Sequence, residues 1–587
     1  MRYLQMISNA LAGGALGAAF VTIVVLQLNP HLGLDAGTVL PLYGTMALYY
    51  GVHLAVIVYG ITAFRRLTSR RPPTAGWISM STLAWLGAAL TVAAAALMWA
   101  NLTTYRLVLG SEAVHRMTAG AVATTVSGAL LVVLALVHYA FGRRGGRVGA
   151  TLVSLTIAAG AVLPVVARGH AVHRPLNVRP LELNPAFTPS SPGGQVVLMA
   201  LDGASLEYIT EATAQGRLPH FGRMLDGGAA LHLSTVHPTQ PAPVWAAVAT
   251  GKYAPKNGVR SAAAYAFRAE GPRIELLPDL CFAHGLVHWG FLDEVPHSAS
   301  ALRARTMWDI ASGYGISVGV AGWPLTSPAQ PVRGYLITDR FHLGIESPLE
   351  FDDDQLGYPA AAVDQARRLS AAARAVASLD PSGMSLPDDP ADDVEASATP
   401  PTARDRWYRL IAGQLGRDYA PRFMTLRYDG LDVAGHRFLR YAQPHDFGDV
   451  SDAERLRYGQ VLDRYYDFID AELGDRLATL GPADVLLVVS AFGMEPVSPG
   501  KRLLARVLGE ADVTGTHERA PDGFLLAYGG PVAPARLPLG SVVDVAPTVL
   551  YLLGLPLARD LDGDARTDLF ASEFTAPRPI TVIPAYR

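Results

Sequence analysis

The first third of the chain contains the feature that most limits its possible folds, a succession of long apolar runs. The runs cover about residues 4–28, 40–64, 77–100, 118–141 and 148–166. Each is close to the roughly 20 residues that an α-helix needs to cross a bilayer. Helices buried in a soluble core are the alternative, but the near absence of internal charge favours a transmembrane bundle over residues 1–168. The first run lacks a convincing cleavage site, which favours a retained helix over a signal peptide.

The arginines between these runs predict how the bundle is oriented. Arg2 and the clusters at 65–71 and 143–147 fall on one side of it, and fewer arginines fall on the other. Because cytoplasmic loops carry an excess of basic residues, the richer side is expected to face the cytoplasm. An odd number of crossings then places everything after about residue 168 outside. The chain is therefore predicted to be a multi-pass inner-membrane protein with an extracytoplasmic C-terminal domain.

Composition narrows the possible functions. Half of the 587 residues are hydrophobic, which is high for a purely soluble chain, and the net charge is −3. That charge gives no case for nucleic-acid binding. The single cysteine, Cys281, rules out an internal disulfide and a cysteine-based zinc site.

A change of pattern near residue 195 predicts a second domain. Residues 169–194 are rich in Pro, Ser and Asn and are predicted to be a linker. After them, apolar strands alternate with helical stretches, which is typical of a mainly parallel sheet flanked by helices. We expect this α/β domain to cover residues 195–575, before a tail at 576–587. Its acidic insertion at 380–404 is expected to be solvated.

Individual elements of this domain can also be predicted. Strands are expected at 196–201, 317–321, 423–427, 485–490 and 523–528. Helices are expected at 218–226, 243–249, 306–312, 453–480 and 543–552.

Four side chains in this domain are candidate functional residues, and three of them are candidate metal ligands. Asp202 ends the first strand, where open α/β sheets present catalytic groups. Asp432 and His436 stand four residues apart just after another predicted strand, and His517 precedes the last one. One aspartate and two histidines, with a fourth position left to water or phosphate, make a suitable zinc shell.

Several separated motifs carry a family resemblance. They are VVLMALDG at 196–203, LPHFGRMLDGG at 218–228, HPTQPAPVWAAVATGKYAPKNGV at 237–259, GTHERAPDGFLLAYGG at 515–530 and SVVDVAPTVLYLLGLPLARDLDG at 541–563. In this order they resemble the type I phosphodiesterase and nucleotide pyrophosphatase branch of the alkaline-phosphatase superfamily, over roughly residues 195–570. The resemblance implies that superfamily's α/β fold and a phosphoryl-transfer site with two cations roughly 4 Å apart.

The resemblance also implies roles for the candidate ligands. The first cation would take Asp432, His436 and His517. The second would take Asp202, a threonine or serine nucleophile, and an Asp–His pair that follows a central strand. In this mechanism one cation activates the nucleophile and the other stabilises charge on the phosphate and the leaving group.

The chain departs from the family pattern at the second cation. Pro241 stands at the nucleophile's position, and Ala491 and Phe492 stand at the Asp–His pair. None of these side chains offers a lone pair to a divalent ion, so only Asp202 remains of that site. Thr239 is the nearest substitute hydroxyl, although the prolines around it stiffen the loop against bringing it round.

These observations lead to one hypothesis and one alternative. The hypothesis is a membrane-anchored, outward-facing protein with one divalent metal, zinc or else manganese, and an empty second site. It would bind a phosphate-containing or lipid-linked ligand, or an envelope protein partner, with impaired or no hydrolysis. The alternative is an active phosphoesterase or headgroup transferase acting on envelope lipids or nucleotides, because one zinc ion can activate bound water. His220, His237 or Asp202 would then be the general base.

Overall fold

The structure is a computed structural model of the chain. It describes residues 2–68, 77, 80–141, 146–169, 193–267, 273–279, 282–347, 351–377, 401–443, 445, 447–448, 450–508, 513–519 and 521–586. Cys281, nearly all of the predicted linker and the predicted insertion up to residue 400 lie outside the described residues.

The helices and strands are numbered here in chain order. The helices are α1 (Arg2–Leu28), α2 (Ala36–Met46), α3 (Val52–Thr68), α4 (Met80–Tyr105), α5 (Ser111–Phe141), α6 (Gly146–Arg168), α7 (Leu206–Ala214), α8 (Pro219–Gly227), α9 (Pro241–Thr250), α10 (Ala254–Asn257), α11 (His284–His288), α12 (Met307–Gly313), α13 (Phe341–Glu346), α14 (Asp353–Leu356), α15 (Ala360–Ala377), α16 (Pro401–Tyr419), α17 (Gly430–Ala442), α18 (Asp452–Tyr458), α19 (Val461–Thr479), α20 (Pro499–Leu508), α21 (Val545–Leu552) and α22 (Ser572–Thr575). The strands are β1 (Val196–Leu201), β2 (Ala229–Ser234), β3 (Ala263–Ala266), β4 (Asp293–Pro296), β5 (Val318–Ala321), β6 (Gly334–Ile337), β7 (Gly357–Tyr358), β8 (Phe423–Tyr428), β9 (Val485–Phe492), β10 (Glu495–Pro496), β11 (Gly515–Thr516), β12 (Asp522–Gly529), β13 (Ala535–Arg536), β14 (Gly540–Ser541), β15 (Leu557–Ala558) and β16 (Val582–Ile583).

The chain divides into two compact units. The first comprises the described residues within Met1–Pro175 and Arg260–Pro296, and the second those within Leu176–Val259 and His297–Arg587. The domain boundaries expected from the sequence remain predictions. The grouping of 260–296 with the apolar helices was not among them.

The first unit contains helices long and apolar enough to cross a membrane. There are five such spans among the described residues, Tyr3–Leu28, Ala36–Thr68, Thr82–Tyr105, Ser111–Val137 and Val148–Arg168. The predicted membrane region is therefore confirmed as a set of five candidate spans. The second span is a composite, because α2 and α3 are joined through a π-helical turn at Ala47–Gly51. The orientation of the bundle remains a prediction.

The segment Arg260–Pro296 packs against the apolar helices of its own unit. It contains the antiparallel pair β3–β4 and the short helix α11. Apolar side chains of the segment and of the helices form one cluster, which includes Val25, Leu42, Met46, Tyr265, Ile274, Leu277, Leu286 and Leu292. The burial of these side chains is the main contribution to holding the segment in place.

Asn29, directly after α1, binds the backbone of this segment. It is fully buried. Its side-chain oxygen accepts hydrogen bonds from the amides of Glu275 and Leu276 at 2.8 and 2.9 Å, and its side-chain nitrogen donates to the carbonyl of Leu276 at 2.7 Å. A single amide side chain thus satisfies backbone groups that burial would otherwise leave unpaired.

A second asparagine, Asn101 in α4, does the same further along the segment. Its side-chain oxygen accepts from the amide of Asp279 at 2.8 Å. Close by, the hydroxyl of Tyr105 donates to the carbonyl of Leu277 at 2.8 Å. The backbone of residues 275–279 is therefore held by side chains of α4 and of Asn29, the residue that follows α1.

Replacing Asn29 with alanine should loosen this segment. The substitution leaves buried backbone groups without partners, at a cost of about 1–3 kcal/mol. If the segment opens locally, trypsin cleavage after Arg273 should become about 5- to 150-fold faster. The rate is measured on the full-length protein in detergent, with Asn9→Ala as the matched control, since Asn9 donates to carbonyls outside the segment. Equal cleavage rates in the two variants would contradict this role of Asn29.

The second unit is built on one mixed sheet. Its strand order is β13–β2–β12–β9–β1–β8–β5–β6–β7, with β14 beside β2. The central strands β9, β1, β8, β5 and β6 are parallel, and β12 is antiparallel to both β9 and β2. The predicted fold class is confirmed: five apolar helices precede an α/β domain with a mostly parallel sheet flanked by helices.

The central strand β1 is covered on both faces. All six of its residues are buried. They join two apolar clusters alternately, Val196, Leu198 and Ala200 in one and Val197, Met199 and Leu201 in the other. Because side chains alternate along a strand, the two clusters lie on opposite faces. A strand of this kind has a continuous apolar sequence, and it carries Asp202 to the carboxyl edge of the sheet.

Candidate metal centre

The carboxyl ends of the parallel strands bring acidic side chains together. Asp202 follows β1, Asp429 follows β8, and Asp432 lies in the first turn of α17. Gly203 makes the turn after β1 with a φ of 69°. A Cβ atom at that position would come within 3.0 Å of the Cα of Asp432. Glycine therefore allows both the left-handed turn and the close approach of β1 to α17.

The start of α17 is fixed by a buried aspartate from α16. The Asp405 carboxylate accepts hydrogen bonds from the amides of Asp429 and Gly430 at 3.3 and 3.2 Å, and from the hydroxyl of Tyr465. Burial raises the pKa of Asp405 well above its usual range. Because these bonds occupy the free amides at the helix N-terminus, Asp405 sets where α17 begins and so where Asp432 points.

Asp432, His436 and His517 come together as expected from the sequence. Their ligand atoms all lie within 4.8 Å of one another. Asp432 and His436 lie one turn apart on α17, with Nε2 of His436 at 3.5 Å from Oδ2 of Asp432. His517 follows β11 and reaches the same place from the loop before β12, and the two imidazole rings have centroids 5.0 Å apart.

Both imidazoles are oriented by backbone carbonyls. Nδ1 of His436 lies 2.8 Å from the carbonyl oxygen of Gly515, and Nδ1 of His517 lies 2.9 Å from that of Thr239. A carbonyl oxygen can only accept, so each Nδ1 carries a proton. In the neutral ring the lone pair is then on Nε2, on the side facing the group.

The group fits a divalent cation. Oδ1 of Asp432 is buried and has no hydrogen-bond partner among the described residues, which is costly unless something else compensates its charge. Burial lowers the pKa of His436, the neighbouring Asp432 carboxylate and the carbonyl of Gly515 together raise it more, and the net shift is upward. A cation would compensate the same carboxylate, and two imidazole nitrogens with one carboxylate oxygen are donors that zinc prefers.

Asp202 does not belong to this three-residue group. It is 1% exposed, and both of its oxygens are engaged. Arg427 of β8 forms a buried ion pair with Oδ2, and the indole Nε1 of Trp245 donates to Oδ1. Burial raises the pKa of Asp202 to about 7, even though the Arg427 guanidinium lowers it. The role predicted for Asp202 as a metal ligand remains a prediction.

Sequence reasoning missed Arg427. The residue interrupts the otherwise apolar strand FMTLRY, and it is the register partner of Ala200, two residues before Asp202. A charged residue inside a central strand was the available signal. It could not be interpreted, because which strand lies beside β1 is a property of the tertiary fold.

Of the three predicted departures from the family pattern, Ala491 and Phe492 are buried and Pro241 is partly buried. Pro241 is the first residue of α9, a position where proline costs no hydrogen bond. Ala491 and Phe492 end β9 and are fully buried. The ring of Phe492 lies 5.0 Å from that of His517, centroid to centroid. An apolar ring therefore borders the metal group where the family pattern has metal ligands.

Thr239 lies close to the metal group, but its hydroxyl is not on the surface. The residue is 1% exposed. Its Oγ1 is 3.2 Å from Nδ1 of His237, while its carbonyl binds His517. In the described contacts, Thr239 orients the candidate ligand His517 through its backbone carbonyl.

A second set of ionisable side chains, each partly buried, lies beside Asp202 and Arg427. Nη1 of Arg404 is 3.6 Å from Oδ2 of Asp429 and 3.5 Å from Nε2 of His342. Burial, and then the positive charge of Arg404, lower the pKa of His342 to about 4. Asp339, after β6, is partly buried, and burial raises its pKa although Arg340 and Arg427 lower it. These residues are scattered along the sequence, so no spacing pattern could have predicted that they meet.

The chain is similar to one known protein family and to several solved structures. The profile of the family described as type I phosphodiesterase / nucleotide pyrophosphatase matches residues 196–541, more than half of the chain. No curated protein sequence matches the chain. Among solved structures, murine ectonucleotide pyrophosphatase / phosphodiesterase 5 aligns at 13% identity over 64% of this chain and 100% of its own, with a TM-score of 0.38.

Two further solved structures align in the same way. Human ectonucleotide pyrophosphatase / phosphodiesterase 5 is 13% identical over 64% of this chain and 100% of its own, with a TM-score of 0.40. A variant of the alkaline phosphatase PafA is 14% identical over 65% and 100%, with a TM-score of 0.42. The matched range of the family profile includes Asp202, Asp432, His436 and His517.

Proposed function

Because this chain belongs to the type I phosphodiesterase / nucleotide pyrophosphatase family, we propose that it is a membrane-anchored, one-metal relative that binds a phosphate-containing ligand without cleaving it. The observation that carries the proposal is the contrast between two neighbouring positions. The donor atoms of Asp432, His436 and His517 converge within 4.8 Å. At the adjacent position, Asp202 is already paired with Arg427 and Trp245.

Ligand binding rests on the converging donors. One carboxylate and two neutral imidazoles leave a bound divalent ion with a net positive charge and an open fourth position, which a phosphate oxygen can take. We propose zinc as the ion, with manganese as the alternative. The side chain of His436 is 30% exposed, so the group is accessible from solvent, as a ligand site must be.

The absence of cleavage rests on the missing nucleophile. The family mechanism needs a hydroxyl held by a second cation. Here Pro241 begins α9 without a hydroxyl, and the buried side chains of Ala491 and Phe492 offer no ligand atoms. Covalent attack of the family type has no atom in this chain to start from at these positions.

An active phosphoesterase or headgroup transferase is the second candidate. The contact between Oγ1 of Thr239 and Nδ1 of His237, at 3.2 Å, favours it, because a hydroxyl beside an imidazole is the basic arrangement of an activated nucleophile. Against it stands the burial of Thr239, which is 1% exposed. A zinc-bound hydroxide would be the other route to hydrolysis.

The five candidate spans support the anchoring part of the proposal. We propose that the bundle lies in the inner membrane with the second unit outside. The ligand would then be a lipid-linked phosphate or another phosphate compound of the envelope, or the partner would be an envelope protein.

The test uses the full-length protein in detergent, with two readouts. We expect one zinc ion per chain, zinc-dependent binding of inorganic phosphate, and no turnover of bis(4-nitrophenyl) phosphate above that of the His517→Ala variant. Turnover by the unmodified protein that is lost in both Thr239→Ala and His517→Ala would instead establish a phosphoesterase with Thr239 as its nucleophile. Turnover lost only in His517→Ala would point to a metal-bound hydroxide. A protein that takes up no divalent ion would refute the proposal.

A further inference from the structure

Arg427 lies among carboxylates that need a cation. Its side chain is 12% exposed, and that of its partner Asp202 is 1% exposed. Asp429 and Asp339 also act on it electrostatically, and burial, which lowers the pKa of Arg427, is outweighed by these carboxylates, which raise it. The guanidinium of Arg427 therefore acts on three acidic groups at one sheet edge, of which Asp429 also pairs with Arg404.

Arg427 and the residues at the predicted positions of the missing metal ligands lie on the two strands that flank β1. β1 lies between β9 and β8 in the sheet. Ala491 and Phe492 end β9 on one side of β1, where Ser490 is the register partner of Leu201. Arg427 comes from β8 on the other side, where it is the partner of Ala200. Ligands are missing from one neighbour of Asp202, and a positive charge is supplied by the other.

A divalent ion and Arg427 are not compatible at Asp202. The guanidinium stays protonated in proteins, so it cannot lose its charge to make room. An ion bound to Asp202 would meet a like charge in a buried place, where screening by water is weak. It would also compete with the indole N–H of Trp245 for the other oxygen. The residues present therefore do not fit a second metal.

We propose that the guanidinium of Arg427 is the resident cation at the position where a two-metal relative would hold its second ion. This chain accordingly takes one divalent ion, and restoring the three missing side chains alone does not create a second site. The inference rests on the proposed function only for the ion at Asp432, His436 and His517. Independently of that function, it predicts that the restored chain binds one zinc ion fewer when Arg427 is present than when Arg427 is replaced.

The experiment compares the zinc content of full-length variants after dialysis at a fixed free zinc concentration, measured by mass spectrometry. The restored variant carries Pro241→Thr, Ala491→Asp and Phe492→His. The second variant adds Arg427→Met, which keeps an unbranched apolar stem and removes the charged guanidinium. We expect one zinc ion per chain in the unmodified protein, one in the restored variant, and two when Arg427→Met is added.

Two zinc ions in the restored variant with Arg427 present would overturn the inference, and so would one ion in both variants. If the variant with all four substitutions does not fold, the zinc content of Asp202→Asn in the otherwise unmodified protein tests the inference. Its zinc content should stay at one, because Asp202 pairs with Arg427, and a loss of zinc would make Asp202 a ligand and refute the inference. An unmodified protein without zinc refutes the proposed function, while the difference of one ion between the two variants still tests Arg427.

Discussion

Replacing His517 with alanine in the full-length protein should weaken zinc binding at least about 100-fold, since loss of a ligand costs more than loss of an outer hydrogen-bond partner, which costs about 10- to 100-fold. His517 supplies one of the three converging donors. Its ring is already oriented by the carbonyl of Thr239, so the wild-type site has little ordering left to do when the ion arrives. Competition with a chromophoric chelator gives the dissociation constants.

The matched control is His232→Ala. His232 is an exposed histidine on β2 in the same unit, and its replacement should leave the zinc affinity unchanged. His436→Ala should reproduce the effect of His517→Ala, because both imidazoles face the same group. If His517→Ala keeps the wild-type affinity while His232→Ala loses it, zinc binds elsewhere and the assigned centre is wrong.

The residues of the candidate metal group could be predicted from the sequence, but Asp432 and His436 were predicted for a different reason than His517. Asp432 and His436 are four residues apart, and helical geometry alone makes such residues neighbours on one face. His517 is about 80 positions later, and no local rule connects it to them. Its predicted place came from the order of the family motifs alone.

The strand that ends at Asp202 was equally predictable, but the partners of Asp202 were not. A continuous apolar run identifies a buried strand whatever lies next to it. The ion pair with Arg427 depends on β8 lying beside β1 in a definite register, and a single sequence does not contain that pairing. The degenerate second site expected from the sequence stays a prediction, and that prediction did not include the arginine beside Asp202.

The segment 260–296 illustrates a second limit. Its short apolar stretches gave no sign that they would pack on the helices, and the hydrogen bonds that fix its backbone are donated by backbone amides to Asn29 and Asn101. Backbone groups carry no sequence signal. The predicted helix 453–480 shows a third limit, since it is divided into α18 and α19 around Gly459, where glycine lowers helix propensity.

Replacing Arg427 with methionine in the metal-free protein should lower the free energy of unfolding by about 3–5 kcal/mol, the usual cost of removing one member of a buried ion pair. Asp202 is almost fully buried, and burial already raises its pKa to about 7. Without the guanidinium the carboxylate must either stay charged and unpaired or take up a proton, and both cost free energy. Denaturant unfolding of the full-length protein in detergent, followed by tryptophan fluorescence, measures the change. Trp245 and Trp323 lie 5.2 Å apart, centroid to centroid, near this pair and report on it.

The same substitution on an exposed pair separates the effect of burial from that of losing an arginine. Arg367 pairs with Asp353 at 2.7 Å, with side chains 36% and 53% exposed, and Arg367→Met should cost no more than about 1 kcal/mol. A cycle with Asp202→Asn then isolates the pair itself. If Asp202 is what Arg427 neutralises, the double variant should recover about 1–3 kcal/mol of the loss predicted by adding the single variants. Strictly additive losses would mean that Arg427 stabilises the sheet edge by packing or through Asp339 and Asp429, and that Asp202 does not depend on it for its charge.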